Sequence, residues 1–255
     1  MTEATAQRPQ GAPCWVSLLV HSLQPTTEFY GGLFGWEFQT GPTHFGPYLR
    51  ATLDGRLVAG IGESPEKLAQ PVAWTTYLST PDADLAAESI RADGGTVAVG
   101  PLDASDEAGR LAIVSDPDGA VFGLWQPDGL SGTGVHGEPG ALAWNELVTR
   151  ETSAAAKFYA AVFDLDPRQA PDGDHVTLHQ GGRPLAGIEG VGDALPHDTG
   201  ARWTTYFAVA DTDAAARRAG ELGGRVLRGP WDARNGRVAE IADPQGAVFR
   251  IIAAG

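Results

Sequence analysis

The sequence predicts an α+β fold built twice, a tandem duplication in which each copy holds two strand-helix-strand-strand-strand (βαβββ) units. Three observations predict it. Residues 129–255 repeat residues 1–128: Trp15, Phe29-Tyr30, Trp74-Thr75-Thr76-Tyr77 and Gly94-Gly95 recur at one offset as Trp144, Phe158-Tyr159, Trp203-Thr204-Thr205-Tyr206 and Gly223-Gly224. Within each copy, apolar runs of strand length alternate with segments of helical spacing. Between the copies, Gln126 to Gly140 is dense in Gly and Pro and lacks apolar periodicity, as a surface connection does. The expected domains are residues 13–127 and 141–253, with 128–140 as linker.

Copy one opens with an apolar strand, Trp15 to Val20. A helix over Pro25 to Gly35 follows, because Pro suits a first helical turn, Phe29, Tyr30, Leu33 and Phe34 share one face, and Gly35 can end the turn. Its counterpart is Ser153 to Phe163. Short strands are expected near 36–39, 48–53 and 57–61, between Gly/Pro/Asp turns. The second unit begins with a strand at 74–80 and a helix at 84–92 closed by Gly94-Gly95. Strands at 96–99, 110–115 and 120–125 complete it, the last two joined by the tight turn Asp116-Pro117-Asp118-Gly119. Near the end of each copy the offset changes by two, so that Gly109-Arg110 meets Gly236-Arg237. One copy therefore carries a two-residue insertion.

The net charge of −14 divides unevenly, with 16 acids against 6 bases in residues 1–128 and 16 against 12 in residues 129–255. An acidic chain without a basic cluster disfavours nucleic acid and anionic membrane as partners. The single cysteine, Cys14, cannot form an intrachain disulfide, and no signal-peptide layout or apolar run of membrane-spanning length is present. A cytoplasmic monomer or homodimer is the expectation, with a polar, mobile Met1 to Ala12. Phosphate loops, nucleophile elbows, Cys/His pairs and zinc-finger spacings are all missing from the sequence, which leaves nucleotide, acyl-transfer and structural-zinc functions without support.

Phe-Tyr-x-x-x-Phe on the first helix, Gly-Gly after the second and Asp-Pro-Asp-Gly-Ala before a final strand, in that order and twice over, resemble the vicinal oxygen chelate superfamily. Its members include glyoxalase I, extradiol dioxygenases, bleomycin-binding proteins and fosfomycin-resistance enzymes. The likeness covers nearly the whole chain from about Pro13 and is similar in particular to proteins with two tandem glyoxalase-like domains. It implies that two βαβββ units pair into a cupped, barrel-like mixed sheet with outer helices, whose concave side holds a small molecule. It also implies where a metal would sit, with a His or Gln on the first strand of a unit and a Glu on the last. By that register the first-strand places hold Trp15, Thr75, Trp144 and Thr204, and the last-strand places hold Gly123 and Arg250, with two more near Gly60 and Gly187. These are poor donors for a divalent ion. No cofactor is expected, and a metal could bind only through an unusual set including Glu146.

Strand alternation puts Glu146 on the face of Trp144, where copy one has Ser17. A carboxylate among aromatic side chains is desolvated and suited to proton transfer. It could equally pair with Arg250 or Arg202 as a structural contact. Tyr206 or Arg250 would hold a substrate oxygen, and Glu240 stands opposite Arg250 or one pair off it. Trp15, Ser17, Tyr48, Tyr77, Trp125, Trp144 and Thr204 complete the candidate ligand-binding set, because aromatic walls favour flat ligands. For Trp15, Trp144, Tyr77 and Tyr206 a core role is the open alternative, whereas Phe29, Phe34, Phe122, Phe158 and Phe249 are expected to pin helices to the sheets. His175 and His179, about 13 Å apart along a strand, are too distant to share an ion and are read as solvent-facing or separate wall residues. His21, His44, His136 and His197 fall in loop-like contexts.

Two functions fit: an enzyme of lyase, isomerase or oxygenase type acting on an apolar or aromatic small molecule, and a protein that sequesters such a compound. Elemental analysis of the purified protein is expected to find no stoichiometric Zn, Ni, Mn or Fe. About one such ion per copy would refute the assignment of the metal places.

Overall fold

A computed structural model describes residues 8–43, 46–64, 71–104, 109–171, 173–195 and 200–253. Copy one forms β1 (Pro13–Val20), α1 (Leu23–Phe34), β2 (Glu37–Thr40), β3 (Tyr48–Leu53), β4 (Arg56–Glu63), β5 (Ala73–Ser79), α2 (Ala83–Ala92), β6 (Thr96–Asp103), β7 (Gly109–Ser115) and β8 (Val121–Pro127). Copy two repeats the order as β9 (Leu142–Thr149), α3 (Thr152–Phe163), β10 (Asp166–Gln169), β11 (His175–Gln180), β12 (Arg183–Gly190), β13 (Arg202–Ala208), α4 (Thr212–Glu221), β14 (Arg225–Ala233), β15 (Gly236–Ala242) and β16 (Val248–Ala253). The strands make two open eight-stranded sheets, ordered β2-β3-β4-β1-β5-β8-β7-β6 and β10-β11-β12-β9-β13-β16-β15-β14. Each sheet belongs to one copy, and the four βαβββ units are present. Neither sheet closes into a barrel.

Local chemistry sets the helix ends. Gly35 closes α1 in the left-handed conformation (φ 74°), and Asp82, Glu151 and Asp211 cap α2, α3 and α4 through their carboxylates. The N-cap of α1, Ser22, makes no such bond. Gln245, from the last turn of copy two, instead holds the backbone just ahead of the helix. Its Oε1 accepts from the backbone N–H groups of His21 (3.0 Å) and Ser22 (3.1 Å).

Side-chain packing follows different boundaries from the sheets. One compact unit combines the segment ending at Trp15 with Thr75–Gly132 and Asn145–Trp203, and the other combines Val16–Trp74, Thr133–Trp144 and Thr204–Gly255. In the first, Leu78, Phe122, Leu124, Leu147, Val176 and Ile188 face α2 and α3 in a single buried cluster. In the second, Leu18, Ile61, Phe207, Phe249 and Ile251 do the same with α1 and α4. Phe29, Phe34, Phe122, Phe158 and Phe249 all lie in these cores. Trp74 and Trp203 lie there too, so neither forms part of an aromatic wall.

The two cores share one polar device. In the first unit Trp203 Nε1 donates to Tyr159 Oη (2.9 Å), and Tyr159 Oη donates to Asp116 Oδ2 (3.1 Å). In the second, Trp74 Nε1 donates to Tyr30 Oη (3.0 Å), which donates to Asp243 Oδ2 (3.1 Å). The other carboxylate oxygen of each Asp holds its own Asp-Pro-x-Gly turn. Asp116 Oδ1 accepts from Asp118 and Ala120 N–H, and Asp243 Oδ1 accepts from Gln245 and Ala247 N–H. In each unit the tyrosine comes from a helix of one copy and the aspartate from a turn of the other. A backbone–side-chain turn has thus become the anchor between copies.

Burial pushes both aspartates above their ordinary value of 3.8, against the pull of the backbone N–H bonds. A carboxyl whose folded-state pKa is raised contributes most below its unfolded value and loses that contribution as pH rises through the folded one. Wild-type stability measured against Asp243→Asn should therefore decline with rising pH in the window just above 3.8. Asp243→Ala should cost about 2–4 kcal/mol in urea denaturation, because it orphans the buried Tyr30 hydroxyl and two turn N–H groups.

Candidate functional site

The four units place four equivalent residue pairs on the sheet faces opposite the helices. Parallel register joins Ser17 to Gly60, Tyr77 to Gly123, Glu146 to Gly187 and Tyr206 to Arg250. Directly paired residues of parallel strands point the same way, so each pair occupies one patch of surface. The last-strand places are the Gly and Arg positions expected from sequence. Their partners stand two residues beyond Trp15, Thr75, Trp144 and Thr204.

In the first compact unit, Glu146 is 7% exposed and its Oε1 lies 2.9 Å from His175 Nε2. The imidazole reaches across β12, the strand between β11 and β9, where Gly187 presents no side chain. His175 Nδ1 is buried and has no hydrogen-bond partner. His179 takes another course: a register shift separates it from Leu178, and its Nδ1 donates to Thr177 O (3.0 Å). His175 is thus a partly buried neighbour of Glu146.

The same unit carries Tyr77 over Gly123. A Cβ at Gly123 would stand 2.1 Å from Tyr77 Cδ1, so the ring itself covers the place where the resemblance puts a ligating Glu. Trp125 donates its indole N–H to Leu130 O (2.7 Å), and Trp15 is buried. Cys14 donates weakly to Tyr77 O (3.4 Å), and burial pushes its thiol up to about 12, which keeps it from acting as a nucleophile.

In the second unit, Tyr48 covers Gly60 as Tyr77 covers Gly123. Its Oη would lie 1.7 Å from a Cβ at Gly60, and its Cδ1 would lie 2.6 Å from one at Gly41. Tyr48 and His175 open β3 and β11 and stand opposite Gly62 and Glu189, so they are equivalent positions. Copy one sets a phenol across a glycine from Ser17, and copy two sets an imidazole across a glycine from Glu146.

Arg250 ends the series. It pairs directly with Glu240 on β15, which fixes the register that the sequence left open, and its Nε donates to Glu240 Oε2 (3.1 Å). Its Nη1 donates to Tyr206 Oη, and its guanidinium carbon lies 5.4 Å from the Tyr206 ring and 5.8 Å from the Trp231 ring. Arg228 stacks on Trp231 from 3.9 Å. Thr204 is buried, as are Tyr206 and Arg250 at 6% exposure each. Trp144 is partly exposed, but its Nε1 is buried and has no partner.

His175, Arg228 and Trp231 were not read as site residues from the sequence. The strand expected at 96–99 stops before Gly100-Pro101, whereas β6 and β14 continue through register shifts to Asp103 and Ala233, which brings Trp231 onto the sheet. The signal for His175 was the duplication itself, since Tyr48 was already a candidate. His21 contributes its backbone N–H, and His136 Nε2 lies 2.7 Å from Thr133 Oγ1. His44, His197 and most of the N-terminal segment expected to be mobile lie outside the described residues.

The donor set does not fit the superfamily's metal. The four pairs offer Ser/Gly, Tyr/Gly, Glu/Gly and Tyr/Arg, and no group of three His, Cys, Asp or Glu among the described residues could hold an ion. A buried guanidinium at a last-strand place opposes a cation there.

Comparison with known proteins agrees with the duplicated fold. The glyoxalase-like domain family matches residues 145–252. Anthracycline biosynthesis protein DnrV of Streptomyces peucetius is 36% identical over 95% of this chain and 93% of its own length. The chain belongs to the glyoxalase-like, vicinal oxygen chelate family. Putative glyoxylase CFP32 of Mycobacterium tuberculosis is also 36% identical, over 95% of both chains. Among solved structures the fold resembles a Mn(II)-bound glyoxalase from Novosphingobium aromaticivorans (TM-score 0.67, 16% identity, covering 96% of this chain and 82% of that one). It also resembles the 2,3-dioxygenase LapB from Pseudomonas sp. KL28 (TM-score 0.65, 18% identity, 98% and 94%). At those identities the likeness is one of fold.

Gly123→Ala should destabilise the protein by about 1–3 kcal/mol, because the new methyl overlaps the Tyr77 ring. A double-mutant cycle with Tyr77→Ala, read by urea denaturation, should recover most of that cost.

Proposed function

We propose that the protein binds a flat aromatic small molecule against copy two and transfers a proton on it, with the Glu146–His175 pair as the acid–base centre. The observation that carries the reading is the buried 2.9 Å contact between Glu146 Oε1 and His175 Nε2, together with a His175 Nδ1 that has no partner. A carboxylate that accepts from Nε2–H fixes the tautomer whose Nδ1 bears the lone pair, which leaves Nδ1 as the base. Glu146 then orients the imidazole and stabilises it once protonated. This moves the proton-accepting atom from Glu146, the residue singled out from sequence, to its neighbour.

The relatives support the aromatic class of ligand. Two of them are named for anthracycline biosynthesis, and anthracyclines carry a flat polycyclic core. Separately, Tyr206 and Arg250, with Trp231 and Glu240, are proposed to hold a ligand oxygen, because a guanidinium beside two aromatic rings suits a planar oxyanion. Copy one favours binding without chemistry: its equivalents of Glu146 and His175 are Ser17 and Tyr48, which bring no carboxylate or imidazole to the patch.

Anthrone, a flat tricyclic with an acidic C10 methylene, provides the test. Exchange of its C10 protons for deuterium under nitrogen, followed by NMR, should be accelerated by the wild type. His175→Gln should slow the catalysed exchange about 100-fold or more, and Glu146→Gln somewhat less, with anthrone affinity held within about threefold. Unchanged exchange in His175→Gln would refute the acid–base role. Anthrone bound without any catalysed exchange would leave sequestration as the function.

A further inference from the structure

Four tryptophans among the described residues donate their indole N–H within the protein. Trp36 donates to Gly140 O (2.6 Å), Trp74 to Tyr30 Oη (3.0 Å), Trp125 to Leu130 O (2.7 Å) and Trp203 to Tyr159 Oη (2.9 Å). Two of these acceptors are backbone carbonyls brought in by loops and two are hydroxyls of the core relays, so the fold repeatedly finds partners for buried indoles. Trp144 is the exception: its Nε1 is buried and bonds to nothing. It lies on β9, on the face turned away from the helices, and the ring is only partly covered. A buried N–H that forgoes its hydrogen bond carries a desolvation cost, and such groups recur where a ligand supplies the acceptor.

We infer that the Trp144 indole N–H is the donor to a carbonyl-type acceptor oxygen of the bound ligand, which makes Trp144 a specificity-determining residue for flat aromatics that carry such an oxygen. This rests on the flat-aromatic reading above and narrows it, since a bare hydrocarbon ring fills an aromatic wall but leaves the indole unpaired. An indole donates and cannot accept, so the ligand atom must be an acceptor. Phe at this place keeps an aromatic ring for apolar contact and lacks the donor.

The test uses anthraquinone-2-sulfonate and anthracene-2-sulfonate, which differ only in the two ring carbonyls, titrated against tryptophan fluorescence. Trp144→Phe should weaken the quinone about tenfold and the hydrocarbon less than twofold, which is the loss of one hydrogen bond at a buried site. Equal shifts for both probes, or none for either, would overturn the inference while leaving aromatic binding in place. If neither probe binds the wild type, the flat-aromatic reading fails and the inference fails with it. A second measurement on the unmutated protein guards against misfolding of the variant. With 15N-labelled indoles, one buried cross-peak should move downfield with the quinone and stay put with the hydrocarbon. Binding of the quinone with no indole peak displaced would also overturn the proposal.

Discussion

A buried hydrogen-bond relay governs this protein. Indole, phenol and carboxylate stand in line in each compact unit, Trp203–Tyr159–Asp116 and Trp74–Tyr30–Asp243, and every member is inside the core. Such a chain holds only when complete, because each buried polar group depends on the next for its partner. Two of the motifs that carry the family resemblance, Phe-Tyr on the helix and the Asp of Asp-Pro-x-Gly, converge here with the Trp of the repeated Trp-Thr-Thr-Tyr. Their spacing is fixed by architecture.

The four register pairs show how a duplicated scaffold diverges. Where the last strand has Gly60 or Gly123, a tyrosine ring from the same compact unit lies over the backbone. Where it has Arg250, the equivalent ring of Tyr206 sits beside a guanidinium instead. The choice between a hydrogen and a long cationic side chain at one backbone site decides whether the surface is neutral and aromatic or charged. Ser17 and Glu146, Tyr48 and His175, repeat the same logic on neighbouring strands.

Much of the fold was legible because its signals are local. Gly35, the Asp-Pro-x-Gly turns and the helical spacing of Phe29, Tyr30, Leu33 and Phe34 act within a few residues, and the elements they specify fall within two or three residues of expectation. The strand through Gly100-Pro101 was cut short, since Gly and Pro punctuate most strands but here sit at a register shift that lets pairing resume. The place of Glu146 on the face away from the helices was legible from strand alternation. His175 was not, because its meeting with Glu146 depends on a third strand lying between them with no side chain in the way, which is a property of sheet order. The role of Asp116 and Asp243 beyond their own turns was hidden for a related reason: their tyrosine partners lie 43 and 213 residues away.

Because each hydrophobic core takes half its walls from either copy, the repeated segment and the folded segment are different objects. A single copy on its own would expose two half-cores, and would have to find a second chain to cover them. Joining the copies in one polypeptide supplies that second half at a fixed stoichiometry. It also frees the pair from symmetry: a homodimer must place the same residue at both equivalent sites, whereas a fused pair can keep Ser17 at one and Glu146 at the other. Covalent linkage thus lets this fold become asymmetric at its register pairs while the relays stay matched.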